Sequence, residues 1–143
     1  MPAIGYNLAI PVTIQPLDGP FGMVKTFNEN ARQSMKMVIL TSPGERIGFP
    51  EFGVGLRKYL FENLNSSTLV TLKNEILRQV TRYVNYINLV NVSVTQDKIN
   101  EVNYDPYVSR GDYSVSPYKI NVSITYSVPG LPGNIENFYL EIW

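Results

Sequence analysis

From Tyr118 to Val128 the chain alternates without a break. Tyr118, Ile120, Val122, Ile124, Tyr126 and Val128 occupy one set of positions, and Lys119, Asn121, Ser123, Thr125 and Ser127 the other. A period of two belongs to a strand, whose successive side chains point to opposite faces. This run commits the segment to a sheet with one face covered and the other wet or partner-bound. Two weaker runs can supply its neighbours. In Leu89 to Thr95, Val90, Val92 and Val94 alternate with Asn91, Ser93 and Thr95; in Ile135 to Trp143, Phe138, Leu140 and Ile142 alternate with Tyr139, Glu141 and Trp143. The sequence Pro129-Gly130-Leu131-Pro132-Gly133 predicts a rigid turn between the last two strands. Asn100 to Pro117 is too long for a tight hairpin and reads as a subunit-contact or variable surface loop.

The cover for such a sheet precedes it. Thr26 to Leu40 predicts a helix, opened by a Thr26/Glu29 capping box and stopped by Thr41-Ser42-Pro43-Gly44. Phe27, Ala31, Met35 and Val38, beside Ser34, form one face, broadened by Ile39 and Leu40. Leu56 to Glu62 allows a short helix starting at Gly55. Ser67 to Tyr86 predicts the longest helix, capped by Ser66 or Ser67. Its stripe is Leu69, Leu72, Ile76, Val80 and Tyr83, with Leu77 and Val84; Asn74, Glu75, Arg78, Gln79 and Arg82 line the polar side. Helices first and strands last give an α+β fold, with two to three helices packed on one face of a small antiparallel sheet. Residues 23–143 read as one domain. Residues 1–22 read as an extended arm with a short strand signal at Ile10, Val12 and Ile14, either a loose terminus or a clasp on a neighbouring subunit.

Composition narrows the chemistry. The chain has neither Cys nor His, so disulfides, thiol nucleophiles, Cys/His zinc sites and a His general base are excluded. No calcium-loop spacing of acids and no phosphate-binding glycine fingerprint is present, so no metal or cofactor is expected. Lys plus Arg equals Asp plus Glu, at 12 each, and the basic residues are scattered. Nucleic acid is therefore not an expected partner, and neither is a membrane, because no apolar run approaches a span. The first fifteen residues lack the form of a secretory signal, so synthesis in a cytoplasm is expected. Charged residues are only 17% of the chain, which suits a subunit that meets neighbours on several sides.

Between the first two long helices lies Thr41 to Asn63, TSPGERIGFPEFGVGLRKYLFEN. Four glycines and two prolines alternate there with acids and aromatics. Such a connector holds one shape rather than acting as a loose linker. Its run PGER…PEFGVGL…LFE, following MVILTS, resembles the baseplate assembly protein W family of contractile tails, found in phages, tailocins, injection systems and type VI secretion. The matching residues are Gly44, Glu45, Arg46, Pro50, Glu51, Phe52, Gly53 and Leu56, then Leu60-Phe61-Glu62.

The resemblance implies a structural component of the inner baseplate. It would link wedge proteins to the first ring of the tail sheath, in about six copies, with tube or hub proteins as further candidate partners. Assembly would take place in the bacterial cytoplasm. Sheath initiation is expected by strand exchange onto the last strand, Phe138, Tyr139, Leu140, Glu141, Ile142 and Trp143. The connector, including Phe61, is expected to shape the wedge-facing region, with Phe52 either a partner anchor or a core residue. Where the family carries Glu-Pro-Arg-Ile after the long helix, this chain has Val84-Asn85-Tyr86-Ile87, so that motif's charged contacts give way to apolar and Tyr contacts or to a partner. The family has also carried a lysozyme-like label. Glu45, Glu51 and Glu62 are the carboxylates a glycosidase would draw on. Glu45 beside Arg46 and Glu51 near Arg57 read instead as structural ion pairs, so catalysis is not expected.

Overall fold

A computed structural model describes residues 5–14, 20–62, 65–98, 118–129 and 135–142. The elements run β1 (Asn7–Leu8), β2 (Met23–Val24), α1 (Phe27–Leu40), α2 (Leu56–Tyr59), α3 (Ser66–Tyr83), β3 (Asn88–Lys98), β4 (Tyr118–Ser127) and β5 (Ile135–Ile142). The main sheet is antiparallel in the order β3-β4-β5, and β1 pairs with β2 in a small second sheet. The fold is α+β as expected, with helices first and the main strands last. The expected turn at 129–133 and the loop at 100–117 lie largely outside the described residues.

β4 is the central strand, and its alternation holds from Lys119 to Ser127. Ile120, Val122, Ile124 and Tyr126 are buried, while the intervening side chains are half-exposed. They meet Ala31, Met35, Val38 and Ile39 of α1 and Leu72, Ile76 and Val80 of α3 in one core. α3 lies against both β3 and α1. In β5 Phe138 is buried and Leu140 and Ile142 pack on the core, while Tyr139 points out and is 73% exposed.

β3 departs from simple alternation. The register slips between Leu89 and Asn91. An extra residue in one strand re-aims the side chains on either side of it. Leu89 therefore packs on the core, Val90 is exposed, and Val92 is buried. The expected Val90-Val92-Val94 face is corrected at Val90.

The helix ends have local causes. The Thr26 hydroxyl accepts from the Glu29 N–H at 3.2 Å and caps α1. α3 begins at Ser66 with Asn65 in the cap position, so neither expected serine is the cap, and it ends at Tyr83 rather than Tyr86. α2 is a single turn; the tighter i→i−3 bonds of Leu60, Phe61 and Glu62 continue it. Gln79 overturns its assignment to the polar side of α3, being 1% exposed and facing the connector.

The described part of the N-terminal arm lies on its own chain. The Gln33 amide accepts from the Ile10 N–H at 3.0 Å and donates to the Leu8 carbonyl at 2.8 Å. Tyr6 packs against Phe27. The expected strand at Ile10 to Ile14 is absent, and those apolar side chains are exposed. The strand falls earlier, where Asn7 and Leu8 pair with Val24 and Met23.

Candidate functional site

The connector returns to seal the end of α1. A helix leaves its last carbonyls without intrahelical partners. Here Val54 N–H donates to the Val38 carbonyl at 3.0 Å, and Gly55 N–H to the Thr41 carbonyl at 2.8 Å. The close approach needs glycine. Gly53 has φ +105°, and a Cβ there would lie 2.2 Å from the Thr41 carbonyl oxygen. Gly44 N–H donates to the Pro50 carbonyl at 2.8 Å and closes the loop between them.

Gln79 fastens this loop from α3. Its side-chain oxygen accepts from Gly53 N–H at 3.2 Å, and its amide donates to the Glu51 carbonyl at 2.9 Å and to Glu75 Oε1 at 3.1 Å. Sequence spacing could have located it. Position 79 is three residues from Ile76 and seven from Leu72, on the buried stripe, and only its polarity hid it. Arg78 also holds Glu75, at 2.6 Å, and that hydrogen bond keeps the Glu75 carboxyl below the usual glutamate range.

The matched connector residues divide into two groups. Phe52, Gly53 and Leu56 are buried. The Phe52 ring meets Tyr83 edge-on at 4.8 Å, and the Arg46 guanidinium sits 4.1 Å above it. Pro50, Glu51 and Phe61 face outward, with Phe61 90% exposed. Ile47 and Phe49, which the motif does not include, are exposed at the same loop's tip.

Two expected ion pairs are corrected. The Glu45 carboxylate accepts the Ser42 N–H at 2.9 Å, while Arg46 stacks on Phe52. Glu51 pairs with Arg82 at 2.9 Å, not with Arg57. Glu45 and Glu51 lie in the loop before α2 and Glu62 lies just after it, and each faces a separate structural task or solvent.

The segment that departs from the family pattern is absorbed internally. Val84 and Ile87 join the core. The Tyr86 hydroxyl donates to Ser34 Oγ and accepts from the Asn30 amide, both at 3.2 Å, tying the segment to α1.

At the other candidate surface, β5 bonds to β4 from Ile135 through Ile142 and is, among the described residues, the last strand of the sheet. Side chains anchor it to the body. Glu136 pairs with Arg32 at 3.1 Å, and Glu141 pairs with Lys119. The Tyr126 hydroxyl, bonded to Asn28, is held above the usual tyrosine range by burial. Trp143 lies outside the described residues. Among those residues no three acids gather as metal ligands would, and no helix is long and apolar enough to cross a membrane.

The family model described as baseplate wedge protein gp25 matches residues 25–130. The chain belongs to this family. It is a structural component of a contractile-tail baseplate, and other baseplate components are its partners. No curated protein matches the sequence significantly. Two solved structures are similar to it. One is from the anti-feeding prophage baseplate, solved by cryo-electron microscopy with sixfold symmetry; it has TM-score 0.63 and 22% identity over 88% of this chain and 86% of that one. The other, from Geobacter sulfurreducens, is described as a candidate tail lysozyme; it has TM-score 0.60 and 19% identity over 85% of this chain and 95% of that one. At these identities the likeness is one of fold.

Proposed function

We propose that this chain joins wedge proteins of the inner baseplate to the first sheath ring and starts sheath assembly by accepting an added strand. The observation that carries the reading is β5, an eight-residue strand at the end of the sheet, bonded to β4 along one side. An unpaired edge is a template for pairing with another chain. Backbone hydrogen bonds then supply the joint, as in other strand-addition interfaces. β3 is the other edge of this sheet, but its register shift at Leu89 to Asn91 interrupts regular pairing. β5 runs without such a shift and is the better template.

The connector would face the wedge, and residues 23–143 would act as one domain with 1–22 as its arm. Six copies per particle fit the sixfold baseplate to which the fold is similar. Assembly is assigned to the bacterial cytoplasm. The chain is read as non-catalytic. Glu45 and Glu51 are held by Ser42 and Arg82, and two carboxylates across a sugar cleft are what glycoside hydrolysis requires.

Hydrogen exchange tests the strand reading. On mixing with the sheath protein, the β5 amides that point away from β4 should become protected, while α2 amides keep their rates. Unchanged exchange along β5 in a sheath-bound complex would refute strand addition. Particles lacking this gene should show naked or absent tails, restored by complementation. Peptidoglycan cleavage that disappears with Glu45→Gln or Glu51→Gln would establish the enzyme reading instead.

A further inference from the structure

An open groove of about 630 Å³ runs between the end of α1, the start of the connector and α2, with the N-terminal arm at its rim. Ile10, Met37 and Leu40 give it an apolar floor and side. Lys36, Glu45 and Arg57 supply its charge. None of its lining residues belongs to the main sheet, so it is separate from the β5 edge.

The groove brings two unpaired cations to one lining. The Glu45 carboxylate is already engaged by the Ser42 N–H. Elsewhere Arg32, Arg78, Arg82 and Lys119 pair with acids, Arg46 and Lys58 lie over aromatic rings, and Lys73 is likewise unpaired among the described residues but sits on α3, outside the groove. Lys36 and Arg57 make no ion pair, side-chain hydrogen bond or ring contact among the described residues. Two uncommitted cations and one carboxylate, Glu45, thus line an apolar trough, leaving a net positive charge there on a chain with zero net charge. Opposed potentials across an interface fix register and reject wrong partners. An arginine fork also favours a carboxylate that it can grip with two N–H groups.

We propose that this groove binds an acidic, apolar segment of another baseplate protein. An aliphatic or aromatic side chain of that segment lies on Met37 and Leu40, and Asp or Glu on either side of it meets Lys36 and Arg57. The proposal deepens the wedge-facing role given to the connector and rests on that reading. It does not depend on strand addition at β5.

Photocrosslinking in assembled baseplates tests it. p-Benzoylphenylalanine placed at Ile10, an exposed rim residue, is irradiated in the full chain, and the captured peptide is identified by mass spectrometry. The expected capture is a segment of another baseplate protein with Asp or Glu within about three residues of an apolar side chain, a helical or extended spacing that reaches both cations. In parallel, a K36E/R57E double variant should enter baseplates about tenfold less well, with an unchanged melting temperature. Charge reversal on the captured acids should restore its entry. A captured segment without acids, no crosslink within an assembled baseplate, or normal entry of K36E/R57E would each overturn the proposal. A baseplate that contains the chain yet gains no sheath is a failure at β5, and electron microscopy distinguishes it from failed entry.

Discussion

Replacing Gln79 by Leu probes how the connector is held. Leu keeps roughly the volume of the side chain but cannot serve the loop backbone. Gly53 N–H is then left buried without its 3.2 Å acceptor, and the Glu51 carbonyl loses its 2.9 Å donor. An unsatisfied buried donor costs about 1–3 kcal/mol. The Glu51 carbonyl belongs to an exposed residue, where water can replace the lost amide, so it adds little. A net loss of about 2 kcal/mol follows, which for a chain near this size lowers Tm by about 4–8 °C. Urea denaturation should show a lower midpoint at an unchanged m-value. Hydrogen exchange should show faster opening at Gly53. Gln79→Glu sharpens the test, because it keeps the acceptor but sets a second carboxylate beside Glu75, 3.1 Å from the native amide. Burial and that like charge raise the folded pKa of the new acid above its unfolded value. Its destabilisation is therefore present at neutral pH and is relieved as pH falls through the raised pKa. A Gln79→Leu protein that melts within 2 °C of the native chain, with native Gly53 exchange, would refute the reasoning.

Three further perturbations follow from the same geometry. Gly53→Ala should cost at least about 3 kcal/mol in thermal unfolding, because its Cβ would overlap the Thr41 carbonyl; Gly44→Ala, with φ +88° but open space around it, should cost only about 1–2 kcal/mol. The register shift in β3 predicts that Val90→Thr changes denaturant stability by less than about 0.5 kcal/mol, whereas Val92→Ala, in the core, costs about 1.5 kcal/mol or more. The Arg78 hydrogen bond lowers the Glu75 pKa in the folded state, so its small contribution is present above the unfolded pKa and lost as pH falls through the folded one. Arg78→Ala should move the Glu75 titration, followed by carboxyl carbon NMR, up toward the ordinary glutamate value.

Much of the fold was legible because it is written in local periodicity. The alternation from Tyr118 to Val128 foretold both β4 and its buried face. The Thr26 cap and the Thr41-Ser42-Pro43-Gly44 stop marked α1 within a residue. The errors fall where long-range contact overrides local pattern. Val90 lies in a perfect alternation, but pairing with β4 inserts a register shift that no local rule announces. Gln79 is polar, yet the connector brings two backbone groups to it from across the core, and those bonds offset its burial. At Ile10 to Ile14 the alternation is real, but Asn7 and Leu8 hold the pairing with β2 instead.

The sequence by itself determined the class of the molecule: an α+β chain with no thiol or imidazole chemistry, a shaped connector, and a family motif that names the baseplate. These follow from composition, period and residue identity, which need no partner in space. Only the tertiary structure decided what each connector residue faces. Phe52 points inward to Tyr83, Glu51 crosses to Arg82 on α3, and Lys36 and Arg57 are left facing one groove. Those outcomes depend on how α1, α3 and the connector close on one another. Contacts between residues far apart in sequence are set by packing the whole core, so no window along the chain contains them.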